Sequence, residues 1–291
     1  MNSMLFYNPN FDRNRYVLDM AVETPERQYV IFFTPRSGST WLADILDRTA
    51  KLGNPREWFN PNFISAHSKD LNAKDLPSYV NLLLRKRSCG GTFGVEVTYF
   101  QVVRTMGCIN RLFDFFPTDV PVFFLLREDI VAQAVSLSKA FRTGLFHSPG
   151  IRPSKMREAD SSFTYDADNI IKWIYHLRAL EVRTETIFRA FSARPQHLTY
   201  EGITSQPPSR LIDGFARKLG IDVPNGRGEV PRYQKIGSSR NVEFAERFRA
   251  ENRLLLDRID DARFPLIERS KMTQSNFFEA AVSAPADGGS N

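Results

Sequence analysis

Residues 29–41 read YVIFFTPRSGSTW, and the fold turns on how they are read. The run QYVIFF (28–33) combines β-branched and aromatic residues and predicts a buried strand. Thr34-Pro35 ends it. From about Ser39, residues Trp41, Leu42, Ile45 and Leu46 recur at helical spacing on one face. Between strand and helix lies Arg36-Ser37-Gly38-Ser39-Thr40. A strand-to-helix turn aims backbone N–H groups outward, and the helix dipole adds partial positive charge, so the turn suits an anion. Gly38 lets the chain approach that anion closely. Ser37, Ser39 and Thr40 offer hydroxyl donors, and Arg36 brings a full positive charge. A nucleotide-hydrolysing loop has the form GxxxxGK[ST], with lysine before the final hydroxyl residue and magnesium on that hydroxyl. Here Ser39 precedes Thr40. The expected ligand is a phosphate held without a metal.

The rest of the chain supplies further strands and helices. Residues 1–27 form a polar, irregular N-terminal segment, and REWFNP (56–61) is a structured loop. A helix is expected over 76–87, a strand over 92–99, a helix over 101–116 and a strand over 120–126. The last of these, VPVFFLL, is apolar almost throughout, as in a parallel sheet buried on both faces. Asp129 caps the next helix. A long loop (144–164), a helix from Asp166 to about Phe191, a strand (197–201) and a helix ending at Leu219 follow. A Gly/Pro/Arg-rich stretch (224–240) leads into a charged helix over 240–261. The fold class is α/β: a P-loop-like parallel sheet flanked by helices, with its ligand outside the carboxyl ends of the strands. We divide the chain into the N-terminal segment 1–27, one domain over 28–265 and a flexible tail over 266–291.

Composition narrows the function. The net charge of +6 favours an anionic partner. Cys89 and Cys108 are too few for a disulfide scaffold, and His67, His147, His176 and His197 are scattered, so no metal centre is expected. The N-terminus has no secretory pattern, and no apolar run approaches the roughly 20 residues of a membrane helix. These features lead us to expect a cytoplasmic protein without a transmembrane segment. Basic residues are dispersed rather than gathered on one face, which argues against nucleic acid.

A second segment, FFLLREDIVAQAVSLSKAF (123–141), places Arg127 at the carboxyl end of a strand and Ser136 on the following helix. The planar fork of arginine suits a terminal phosphate. The alternative for Arg127 is an ion pair with Glu128 or Asp129. Together the segments carry a resemblance. PRSGSTW resembles the 5′-phosphosulfate loop of sulfotransferases that use 3′-phosphoadenosine 5′-phosphosulfate (PAPS). The RSGST form, followed by Pro55-Arg56-Glu57-Trp58-Phe59, is similar to bacterial carbohydrate sulfotransferases of the trehalose 2-sulfotransferase and NodH-like lipopolysaccharide types.

The resemblance implies the sulfotransferase fold and transfer of sulfonate from PAPS to a hydroxyl of a carbohydrate or glycolipid. It assigns Arg36, Ser37, Gly38, Ser39, Thr40 and Trp41 to the 5′ end of the cofactor, and Arg127 and Ser136 to its 3′-phosphate. Lys235 and Arg240, in a segment (233–252) similar to a C-terminal family motif, would complete the pocket. Relatives are commonly homodimers. Arg36 would stabilise the leaving phosphate, and Glu57 would be the general base, at the place where the carbohydrate family uses a glutamate. Its neighbours Trp58 and Phe59 would desolvate it; the alternative is a surface glutamate paired with Arg56. Trp58, Phe59 and the 144–164 loop are the expected sugar platform, and Trp173 is expected in the core. The rival reading is a P-loop kinase for a small molecule. Arg152, Lys155 and Arg157 would serve as its lid, but its loop lysine is missing.

Overall fold

The computed structural model describes residues 3–146, 152–224, 232 and 237–279. After a short 3₁₀ turn at Ser3–Phe6 come α1 (Arg13–Met20), β1 (Arg27–Phe33), α2 (Ser39–Arg48), α3 (Pro61–Leu71), α4 (Leu76–Lys86), β2 (Thr92–Val97), α5 (Tyr99–Met106), α6 (Asn110–Phe115), β3 (Val122–Leu126) and α7 (Ile130–Thr143). The second half holds α8 (Pro153–Ser162), α9 (Ala167–Ala190), β4 (Gln196–Thr199), α10 (Tyr200–Thr204), α11 (Pro208–Leu219), α12 (Ser239–Glu251) and α13 (Arg253–Glu279).

The four strands form one parallel sheet in the order β2-β1-β3-β4. Alternation along β1 sends Val30 and Phe32 to one face and Tyr29, Ile31 and Phe33 to the other. The first face packs against α4, α5 and Phe188 of α9, and the second against α2, α11 and the end of α13. A third apolar cluster joins α7, α9, α12 and the start of α13. Strand order reverses at β1, since β2 lies on one side of it and β3 on the other. A parallel sheet opens a crevice at such a reversal, outside the carboxyl ends of the two strands. Among the described residues no helix is long and apolar enough to cross a membrane.

The fold is the expected α/β sheet, with local differences. The N-terminal segment contains α1, capped by Asp12 and buried at none of its positions. It is held by polar contacts such as Lys86 Nζ to Asp19 at 2.7 Å and by half-buried Tyr16 and Met20, which pack on the core of the first sheet face; two residues make too short an apolar stripe to mark a helix in the sequence. The helix expected over 101–116 is two helices, because Gly107 takes φ +89° and ends α5. Part of the 144–164 loop is helical, as α8 begins with proline at its first position. The helix expected over 240–261 breaks at Asn252, and α13 then runs to Glu279. A flexible tail beginning at 266 is therefore corrected: Leu266, Phe277 and Phe278 are buried in the two sheet-face cores. The proposed boundary after 265 falls inside one helix.

Candidate functional site

At the end of β1 the amide of Thr34 still donates to Leu125 O on β3 (3.1 Å), after which the chain turns. Arg36 takes φ +67° and Gly38 φ +86°. Gly38 caps α2 without any side-chain acceptor on the first amides, which leaves the helix start open to an anion. Gln133 of α7 braces the turn from behind, donating to Thr34 Oγ1 (2.8 Å) and Pro35 O (2.7 Å). The Ser37 hydroxyl is buried and has no hydrogen-bond partner among the described residues. An orphaned buried hydroxyl is uncommon, and an anion in the cradle would satisfy it.

Tyr200 walls the other side of the loop. A Cβ on Gly38 would lie 2.7 Å from its ring. Gly38→Ala therefore meets both a left-handed backbone and a ring clash. We expect a loss of about 1–3 kcal/mol in unfolding free energy, checked by denaturant titration. Unchanged stability would mean that the loop and Tyr200 separate freely.

Two arginines share this space. Arg36 donates from Nε to Ser136 Oγ (3.0 Å) and from Nη1 to Phe146 O (2.5 Å). Arg127, at the tip of β3, pairs through Nε with Glu201 Oε1 (3.4 Å), and its guanidinium sits 4.7 Å from the centre of the Tyr200 ring. Neither Glu128 nor Asp129 pairs with it among the described residues. Glu201 also accepts from the amides of Glu128 (2.8 Å) and Asp129 (3.4 Å). Arg36 has no carboxylate partner among the described residues. Burial, and then the charge of Arg127, hold its pKa below the usual guanidinium range. Arg249, which also lines the crevice, is neutralised by Asp129 (2.7 Å), whereas Arg36 and Arg127 have only the shared-out Glu201 beside them, and this excess of positive charge favours an anionic ligand.

A cavity of about 670 Å³ opens here, lined by Arg36, Gly38, Ser39, Thr40, Trp41, Arg127, Ser136, Phe146 and Tyr200 among others. The structure thus brings most of the residues singled out in the sequence onto one wall. Ser136 meets Arg36 rather than Arg127. A smaller cavity of about 240 Å³ shares Arg36 and Ser136 and reaches Lys139, which donates to Asp160 (2.7 Å) and Asn241 (3.1 Å).

Two assignments differ. Lys235 lies outside the described residues. Arg240 is not on the cavity wall: its Nη1 donates to the carbonyls of Asp160 (2.7 Å) and Ser161 (2.8 Å) at the end of α8. This corrects its expected place in the pocket. Its neighbours Ser238 and Asn241 line the cavity instead. Sequence reading also passed over Tyr200, Glu201 and Gln133. HLTYE (197–201) already placed the first two at a strand end, beside Arg127 in type of position. Nothing local marked Gln133.

Glu57 lies at the carboxyl end of β2, where Arg56 pairs with Val95 and Arg56 O accepts from Glu96 N (2.9 Å). Glu57 Oε2 accepts from Asn60 Nδ2 (2.8 Å) and Gln101 Nε2 (2.6 Å). Arg56 turns its Nε to Asn54 (2.8 Å) and makes no ion pair with Glu57 among the described residues. Glu57 lines neither cavity. The expected sugar platform is corrected: Trp58 and Phe59 are buried in the core. The exposed rings near the cavity are Phe141 and Phe146. Phe141 stacks on half-buried Trp173 at 4.5 Å, so Trp173 packs against the core but also backs this surface.

Behind Glu57, Glu96 is buried with Oε1 unpartnered among the described residues. Burial, and then the Glu57 charge, push its pKa well up, opposed by Arg56. Tyr29 faces the same group, and burial followed by the Glu96 charge raises its pKa too. Above the ordinary carboxylate pKa the unfolded chain ionises Glu96 while the folded chain does not. Stability is therefore lost as pH rises from that value towards the raised folded one. Glu96→Gln removes the loss. We expect it to stabilise the fold by on the order of 1–2 kcal/mol at pH 7.5 and by much less near pH 4.5, read from melting curves at both pH values.

The family model of the Stf0 sulphotransferases matches residues 28–114 and 110–251. No curated protein matches the chain.

Proposed function

The chain belongs to the Stf0 sulphotransferase family, and from that membership we propose that it transfers sulfonate from PAPS to a hydroxyl of a carbohydrate or glycolipid, with Glu57 as general base. One observation carries the reading of the donor. Arg36 and Arg127 stand at the tips of the adjacent strands β1 and β3, on one cavity wall, and the charge of each opposes that of the other. A ligand with anionic groups at both ends relieves both.

The residues fit such a donor. The open start of α2 and the orphaned Ser37 hydroxyl would take the 5′ side, with Arg36 beside them. Arg127 would take the 3′-phosphate, its guanidinium already steadied by Glu201 and Tyr200. PAPS, when bound, supplies an activated SO₃ group. Arg36, which stays protonated, would stabilise the negative charge of the leaving phosphate electrostatically. Glu57 would accept the proton of the acceptor hydroxyl. Its Oε2 is fixed by two amide donors, which sets the orientation of the carboxylate. The exposed Phe141–Phe146 pair beside the cavity would stack against the sugar rings of the acceptor.

The test is a comparison of Kd values for 3′-phosphoadenosine 5′-phosphate (PAP), ATP and adenosine 5′-phosphosulfate. PAP is expected to bind at least about tenfold more tightly than either. Equal affinity for adenosine 5′-phosphosulfate removes the role given to Arg127. Chelation with EDTA is expected to leave transfer of labelled sulfonate to saccharide acceptors unchanged. A strict magnesium requirement would favour the kinase reading.

A further inference from the structure

The last helix lies beyond the residues matched by the family model, which end at 251, yet it is bonded to the strand ends from which the crevice is built. Arg263, 2 % exposed, is the largest fully buried side chain among the described residues. It faces the carboxyl end of β3 and donates from Nη2 to Arg127 O (2.5 Å) and from Nη1 to Glu128 O (2.6 Å). These carbonyls lie past the last residue of the strand, where the sheet ladder no longer satisfies them, and buried carbonyls need donors. Glu181 of α9, fully buried, neutralises the guanidinium at 2.9 Å and also pairs with Arg178.

The same helix holds the neighbouring strand end. Gln274 Oε1 accepts from Thr199 N (2.7 Å), the residue before Tyr200. It packs so closely on Gly202 that a Cβ there would lie 1.5 Å from its amide nitrogen. Thr199 Oγ1 in turn donates to Glu128 Oε1 (2.8 Å), and Lys271 stands 3.6 Å from Glu128 Oε2. One helix therefore fastens both segments whose tips are Arg127 and Tyr200.

We propose that α13, through the two-carbonyl grip of Arg263, is a positioning element that sets the place of Arg127 and so the preference of the site for a donor bearing a 3′-phosphate. This rests on the reading of Arg127 as the 3′-phosphate contact. A shift of about 1 Å in a bidentate guanidinium is enough to lose one of its two bonds to phosphate. The 5′ cradle is built on β1 and α2, and among the described residues Arg263 bonds only to Arg127, Glu128 and Glu181 and to no residue of the loop.

The experiment compares Kd for PAP with Kd for 5′-AMP, which lacks only the 3′-phosphate, by calorimetry on the full chain. The variants are Arg127→Met, Arg263→Met combined with Glu181→Gln, and Arg263→Lys. In the double variant Glu181 no longer carries a charge for Arg263 to neutralise, and Arg178, whose side chain is partly exposed, keeps its bond to Ala262 O (3.3 Å). The substituted amide side chain still offers an acceptor to Arg178, so the fold is expected to persist. Arg263→Lys keeps the charge beside Glu181 but not the fork. The double variant is expected to weaken PAP by about tenfold or more and to change 5′-AMP by less than about twofold. Arg263→Lys should fall between it and the parent. If Arg127→Met collapses the PAP preference while both Arg263 variants keep it, the role of α13 is overturned and that of Arg127 stands. Equal weakening of both ligands by the Arg263 variants means general loosening and also overturns it. If Arg127→Met itself leaves the preference intact, the reading of Arg127 fails and the proposal falls with it.

Discussion

Glu57→Gln is expected to lower turnover by about 10²–10⁴-fold while the Kd for PAP stays within about twofold of the parent. The substitution is nearly isosteric. Asn60 and Gln101 hold one oxygen of the side chain, and a glutamine oxygen accepts the same two bonds. What disappears is the capacity to take a proton. The donor side is built on different strands, so its affinity provides an internal control. Turnover close to that of the parent would remove Glu57 from the chemistry. Glu57→Asp retains the carboxylate but retracts it by one methylene, and should recover only part of the loss.

Arg36→Met should reduce kcat/KM by roughly 10³-fold, with part of the loss in donor affinity and part in kcat. The side chain meets Ser136 and Phe146 O and is set against Arg127 without a carboxylate of its own among the described residues. Removing one of two repelling cations relieves the unliganded protein, so its melting temperature should hold or rise while function is lost. Added PAP should then raise the melting temperature of the variant much less than that of the parent. A variant that melts lower and binds PAP normally would identify Arg36 as a structural residue. Arg36→Lys keeps the charge but not both side-chain contacts, and is expected to fall between the two.

The sheet and its loop were legible in the sequence because their signals are local. QYVIFF and VPVFFLL are continuous apolar runs, and RSGST follows the first of them directly. Arg127 and Ser136 fell on the cavity for the same reason: a strand end and the helix after it are neighbours by topology alone. The misses came where tertiary partners decide. Helix α1 offers only half-buried Tyr16 and Met20 to the core and is otherwise held by ion pairs, too short an apolar stripe to mark it. Pro265 inside α13 reads locally as a stop, since proline removes a helix hydrogen bond. The burial of Leu266, Phe277 and Phe278 overrides it. Arg240 looked like a free cation, but its carbonyl partners come from about 80 residues earlier in the chain. Trp58 and Phe59 beside Glu57 suggested an exposed platform, and only the packing of Tyr79 and Phe116 around Phe59 shows them to be core.

The strand order has a consequence for how such a catalyst changes over generations. The anion loop grows from β1, which is bonded on both edges, whereas Glu57 attaches to β2 at the margin of the sheet. Interior strands resist local opening and marginal ones yield more readily. Mutations that remodel the rim near β2 can therefore accumulate while the interior scaffold for the donor stays intact.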